Sequence, residues 1–76
     1  MIESNILVMT TTGSKDEAVK LANTLVERRL AACVNVVPHV QSVYRWNDKV
    51  EHAEEFLLLI KTYGTALERV RTLNRE

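Results

Sequence analysis

A tight turn between two long extended segments constrains this chain more than any other feature. Asn47 and Asp48 belong to the few residue types that tolerate positive φ, and the segments on either side are rich in β-branched and aromatic residues. A two-residue loop of this kind joins neighbouring antiparallel strands. The sequence therefore predicts a hairpin whose tip lies at this turn, with Trp46 paired to Lys49.

The first strand of the hairpin is interrupted by the chain's single proline. Residues 32–37, Ala-Cys-Val-Asn-Val-Val, favour a strand and are followed by Pro38, which has no N–H to donate to a ladder. We expect the strand to bend or bulge at Pro38, which then has a structural role. The strand continues from His39 to Trp46.

Two continuous apolar runs predict buried strands. The strand that returns from the turn passes through Glu54 and Glu55 into residues 56–60, Phe-Leu-Leu-Leu-Ile, so we expect a solvated near end and a buried far end. Near the start of the chain, residues 6–9 form a short apolar run that is closed by Gly13. This pattern is typical of a central strand that is buried on both faces.

Two helices follow from capping and periodicity. Ser14 precedes Glu17 by three residues, which is a capping box that begins a helix, and the helix ends with an arginine pair at Arg29. A second helix is predicted from near Thr65 to Asn74, on roughly helical spacing of apolar residues.

The predicted order is β-α-β-β-α in one domain over residues 1–76, with no linker that would separate domains. These are five elements of a ferredoxin-like α+β sandwich, an antiparallel sheet with two helices on one face. The last strand of that fold lies beside the first, so without it residues 6–9 have an unpaired edge. We expect either that the sequence stops before the fold is complete or that another chain supplies the strand.

Composition limits the partners. A domain of 76 residues is marginally stable alone, and one cysteine cannot form an internal disulfide, so a partner subunit is the expected support. Ten basic and ten acidic residues leave no net charge, which argues against nucleic acid and anionic membranes as partners. No apolar run has the length of a signal peptide or membrane span, so a cytoplasmic location is expected.

Three separated blocks resemble the CutA family in order, spacing and residue type. They are residues 30–38 (Leu-Ala-Ala-Cys-Val-Asn-Val-Val-Pro), 42–46 (Ser-Val-Tyr-Arg-Trp) and 60–62 (Ile-Lys-Thr). The resemblance implies a ferredoxin-like fold, a tight homotrimer and a role in tolerance of divalent metals, copper being the favoured ion, without catalysis and with no required cofactor. It also implies a further strand and helix beyond Glu76.

The resemblance places possible metal ligands at two positions. In members proposed to bind copper, the ligands are a thiol in the first strand and histidines just after the second helix. In this sequence, the matching positions fall at Met9 and at or beyond Glu76. Met9 offers a thioether that suits Cu(I), but an apolar strand also favours a core methionine. Of the two interpretations, the sequence favours the core residue.

Other ligand types are spread along the chain. In the hairpin register His52 faces Val43 and His39 faces Phe56, which places the two histidines on one face about 13 Å apart. Cys33 lies about 20 Å from His39 in an extended strand. We therefore expect no Cys/His site within one chain.

Carboxylates and the thiol each have a plain structural interpretation. Glu51, Glu54 and Glu55 suit either a loose surface metal site or a solvated face, and Glu is usually exposed. Cys33, between Ala32 and Val34, is typical of a small buried hydrophobe. With no base near its sulfur, we predict that the chain is not an enzyme.

The hairpin tip carries a candidate interface. Tyr44 and Trp46 alternate onto one face, and Lys49 lies opposite Trp46, where a cation–π contact is possible. These residues suit a contact between subunits, or, together with Lys61, a ligand-binding cleft between subunits.

Three other functions share this fold class. A trimeric signalling module similar to the PII proteins, with a small effector in the clefts between subunits, is the alternative, although the Asn47-Asp48 loop is too short to wrap a nucleotide. An acylphosphatase-like hydrolase needs an early arginine, and none precedes Arg28. An RNA-recognition module needs aromatic residues on the central strands, and residues 6–9 have none.

Overall fold

A three-stranded antiparallel sheet forms the frame of the molecule, and the computed structural model describes residues 5–74. The strands are β1 (Asn5–Thr12), β2 (Cys33–Trp46) and β3 (Lys49–Tyr63); the helices are α1 (Lys15–Glu27), a 3₁₀ turn (Gly64–Ala66) and α2 (Leu67–Asn74). The strand order is β1-β3-β2, with β3 in the centre. The predicted element order and ferredoxin-like α+β fold are confirmed.

Both helices pack against one face of the sheet. Leu25 of α1 and Val70 of α2 are fully buried against Leu58 and Ile60 of β3. Val34, Val36 and Val8 add partly buried side chains from the flanking strands. Apolar residues at helical spacing thus meet apolar residues at every second strand position, and this match builds the core.

The ends of α1 fix that helix to the sheet. Ser14 is the N-cap, and its hydroxyl accepts a hydrogen bond from the Glu17 N–H at 3.2 Å, as predicted. After Glu27 the chain reverses through Arg29, which has a left-handed φ of 59°. The buried hydroxyl of Thr62 on β3 then donates to the Leu30 carbonyl oxygen, tying the end of the helix to the central strand.

Strand β1 differs from its prediction. Its side chains alternate, because Val8 packs on the core while Leu7 and Met9 are 54% and 65% exposed. The prediction of a central strand buried on both faces is wrong for residues 5–74, in which β1 pairs with β3 alone and helices cover only one side. The predicted unpaired edge is present among these residues.

Strand β2 bulges where a bend was predicted. Pro38 and His39 together lie opposite the single residue Phe56, and His39 has a φ of 62°. The flanking pairs are Val37 with Leu57 and Val40 with Glu55. The bulge therefore absorbs one extra residue of β2.

The bulge changes which β2 side chains face the helices. Val34 and Val36 face them, whereas Tyr44 and Trp46 face the other way, although all four have even numbers. We call the side of the sheet away from the helices the open face. Its exposed apolar side chains are Leu7, Met9, Val37, Tyr44, Trp46 and Tyr63.

The outer part of the hairpin, residues 40–55, extends away from the helices, and we call it the arm. It contributes to a molecule 48 Å long and 23 Å by 20 Å across. At its tip Asn47 and Asp48 have φ values of 51° and 61°, and Trp46 pairs with Lys49. Positive φ at both central residues is the signature of a type I′ turn, so the predicted turn and register are confirmed.

Candidate functional site

One of the two metal positions implied by the resemblance lies on the open face. Met9 is 65% exposed there and pairs with Leu59, so the interpretation of Met9 as a core residue is wrong. It is exposed because no element among residues 5–74 covers this side of β1. Glu76 lies outside the described residues.

The bulge brings one histidine to a carboxylate. His39 Nδ1 lies 2.8 Å from Glu54 Oε1, and the two side chains are 82% and 66% exposed. Glu54 projects on the helix side of the arm, as does His52, which faces Val43 in the predicted register. No group of three or more His, Cys, Asp or Glu side chains that could hold a metal ion occurs among residues 5–74.

The acidic run does not form one cluster, because alternation divides it between the two sides of the arm. Glu51 and Glu55 lie on the open face, paired with Tyr44 and Val40, whereas Glu54 points to the other side toward His39. Within one chain these three carboxylates are therefore not the ligand set of one ion.

Cys33 is a free thiol at the beginning of β2. It is half-buried on the open face and pairs with Lys61 of β3. The predicted burial is therefore partial, because the open face lacks a covering layer among the described residues.

The four interface residues do not meet within one chain. Tyr44 and Trp46 share the open face with Lys49 at the tip of the arm, and they are 47% and 65% exposed. Lys61 lies near the other end of the 15-residue strand β3. A cleft that uses both ends of the strand must therefore draw them from different subunits.

Two hollows lie near candidate residues, one beside Lys61 and the other beside His39. One, of about 500 Å³, lies at the base of the sheet and is lined by Lys61, Tyr63, Asn5, Leu7 and Ala32 among others. The other, of about 420 Å³, lies between α1 and the bulge and is lined by Lys15, Val19, Val36, Pro38, His39 and Phe56. The second hollow places the ring of His39 beside an apolar wall.

Comparison with known proteins identifies the family. The sequence profile of the CutA1 divalent ion tolerance proteins matches residues 6–76. The chain belongs to the CutA family. It is 46% identical over 72 residues to the divalent-cation tolerance protein CutA of Thermus thermophilus, a match that covers 90% of this chain and 70% of that protein. It is 47% identical over 64 residues to the chloroplastic CutA of Arabidopsis thaliana, covering 84% and 35% respectively.

Solved CutA structures share the fold. The T. thermophilus protein superposes with a TM-score of 0.87 at 42% identity, covering 91% of this chain and 67% of that one. CutA1 from Oryza sativa gives a TM-score of 0.88 at 39% identity, covering 91% and 63%. The chain thus spans about two thirds of these structures and about a third of the Arabidopsis protein. The resemblance of the three sequence blocks to CutA is confirmed.

CutA relatives are described from more than one compartment. The Arabidopsis relative is chloroplastic, and the Archaeoglobus fulgidus structure is described as a periplasmic divalent cation tolerance protein. In this chain, none of the helices within residues 5–74 is long and apolar enough to cross a membrane.

The pairing of His39 with Glu54 is the site feature that sequence reasoning missed. The two residues are fifteen apart in sequence, and regular pairing places His39 opposite Phe56. The signal that was present is Pro38, because a bulge re-aims the side chains beside it.

Proposed function

We propose that this chain acts as one subunit of a cytoplasmic CutA homotrimer in tolerance of divalent metal ions. In this proposal it binds metal, with copper the favoured ion, weakly and without catalysis at boundaries between subunits. Membership of a family described by divalent ion tolerance supports the metal role. The observation that carries the assembly is the exposed apolar surface of the open face.

The open face argues for association because monomeric domains rarely leave such a surface uncovered. Leu7 and Met9 on β1 and Trp46 on the arm are each more than half exposed. Burial of apolar surface contributes roughly 25 cal/mol per Å², so covering this face by another subunit is favourable. The number of three subunits comes from the family resemblance.

Ligand placement argues for metal sites that span subunits. Among residues 5–74, no single chain gathers three ligand side chains at one point. Met9 projects from the open face, so association across that face brings its thioether toward other chains. The same association brings Lys61 of one subunit toward Tyr44, Trp46 and Lys49 of another, as interface or cleft residues.

Light scattering after size exclusion tests the assembly. We expect the wild type to elute as a trimer of the 8.7 kDa chain. Met9→Lys places a charge on the open face and should shift the mass toward the monomer, because burying an unpaired ammonium is costly. Val26→Lys is the matched control, since Val26 is 44% exposed on α1, away from the open face. A wild type that remains monomeric at high concentration contradicts the proposal.

Calorimetric titration tests the ligand. We expect heat from Cu²⁺ with the wild-type chain and none from ATP. Binding of ATP without binding of copper would instead favour the effector-binding module similar to PII proteins.

A further inference from the structure

We propose that the hollow between α1 and the bulge binds a small carboxylate with an apolar tail. The tail lies against the apolar side chains of the hollow, and the carboxylate lies between the Lys15 ammonium and the imidazole of His39. This inference goes beyond the proposed function, because it depends neither on metal binding nor on the association of subunits.

The walls of the hollow suit an apolar group. Val36 and Phe56 are half-buried and pack against the core, so they form its inner wall. Val19 on α1 is 41% exposed, and Pro38 on the bulge is exposed as well. An apolar tail placed here removes part of this surface from water, which is favourable. The volume of about 420 Å³ is also that of a usual small-molecule site.

The two remaining lining residues, Lys15 and His39, determine the charge of the ligand. The ammonium of Lys15 forms no ion pair with any group among residues 5–74, so its charge is free to meet an anion. No carboxylate lines the hollow within that range. Opposite charges attract at this distance and like charges repel, so an organic anion complements the hollow and an organic cation does not.

Glu54 limits what His39 offers to a ligand. A carboxylate only accepts hydrogen bonds, so across the 2.8 Å contact with Glu54 Oε1 the hydrogen lies on Nδ1. Nε2 is then the ring nitrogen that can meet a ligand, and it carries a hydrogen only in the imidazolium. Protonated His39 therefore donates to a bound carboxylate, whereas neutral His39 presents a lone pair to it.

This chemistry gives the binding a direction with pH. The charged groups beside the ring are Glu54 on β3 and Lys15 on α1, and both keep their charge between about pH 6 and pH 8. Histidine side chains lose their proton within that interval. Affinity for the carboxylate should therefore fall as the pH rises, while affinity for a neutral apolar molecule should stay constant.

NMR titration of the ¹⁵N-labelled wild-type chain with sodium hexanoate tests the site. We expect saturable shifts centred on Val19, Val36 and Phe56, and smaller ones at Leu7 and Met9 on the open face. Hexanol has the same carbon chain without the charge, and it should bind roughly 5-fold more weakly, the upper end of what one exposed ion pair contributes. Hexylammonium should bind more weakly still. Hexanoate that shifts no lining residue, or that binds no more tightly than hexanol, overturns the proposal.

Substitutions on α1 separate the charge from the apolar wall. Lys15→Gln should weaken the binding of hexanoate and leave that of hexanol unchanged. Lys20→Gln is the matched control, because Lys20 is an exposed lysine of the same helix outside this hollow. Val19→Ser should weaken both ligands, whereas Val26→Ser, at a residue 44% exposed on the same helix, should weaken neither. Equal effects of the two lysine variants on hexanoate overturn the proposal.

The hexanoate titration at about pH 6 and about pH 8 tests the role of His39. The wild type should bind hexanoate more weakly at the higher pH. His39→Asn keeps a residue that tolerates positive φ but removes the imidazole, so its affinity should be the same at both values. A loss of affinity with pH that persists in His39→Asn overturns the placement of the carboxylate beside this ring.

Discussion

Leu57 and Leu58 are neighbours on β3, and they belong to two different environments. Leu58 is fully buried beneath the helices, whereas Leu57 is half-buried on the open face. Leu58 thus stabilises the core of the single chain, whereas Leu57, the same residue type, is left partly uncovered on the other side of the sheet. The comparison teaches that the helices complete only one of the two apolar faces.

The largest expected effect comes from alanine substitutions at this pair. Leu58→Ala should lower the free energy of unfolding by about 2 to 5 kcal/mol, because it leaves a cavity in a closed core. Leu57→Ala should lower it less in the isolated chain, and its effect should grow with protein concentration if association buries the open face. Chemical denaturation at several protein concentrations measures both. Equal and concentration-independent losses would show that the two faces do not differ in this way.

The next effect concerns the hydrogen bond from Thr62 to the Leu30 carbonyl oxygen. Thr62→Val keeps the shape of the side chain but leaves a buried carbonyl without its donor, so it should cost about 1 to 3 kcal/mol. Thr11→Val, on the exposed side of β1, is the control and should change stability little. A similar loss of stability in both variants would show that the buried hydrogen bond of Thr62 is not the cause of the effect.

The smallest effect tests the arm, which no helix within residues 5–74 covers. Asp48 has a φ of 61° in the hairpin turn, so Asp48→Gly should raise the free energy of unfolding by up to about 1 kcal/mol. Asp48→Ala should lower the free energy of unfolding, because alanine is strained at positive φ and lacks the short polar side chain that lets aspartate tolerate this region. Thermal unfolding of the two variants shows whether they move in opposite directions, and a shared direction would exclude this explanation.

Local chemistry predicted much of the fold. The Ser14 cap, the Asn47-Asp48 turn and the bend at Pro38 each follow from what one or two residues can do with the backbone, and all three are present. The burial of β1 was predicted wrongly. A run that is apolar at every position indicates that both faces need cover, and it does not tell whether that cover comes from the same chain.

The site was less predictable than the fold. Exposure of Met9 depends on which elements cover β1, and that is a property of packing rather than of sequence spacing. The contact between His39 and Glu54 depends on the left-handed backbone at His39. The sequence prediction assumed an extended strand with regular alternation of side chains. It therefore paired His39 with Phe56 and did not find the contact with Glu54.

The bulge has a consequence for how this hairpin tolerates changes in length. Pro38 and His39 share one partner, so a chain without Pro38 would retain every β2–β3 pair on either side of it. A one-residue deletion elsewhere in β2 would instead exchange inward and outward side chains over part of the strand. A deletion scan along β2 should therefore find its most permissive position at Pro38. Among related sequences, gains and losses of single residues in this strand are expected to concentrate there.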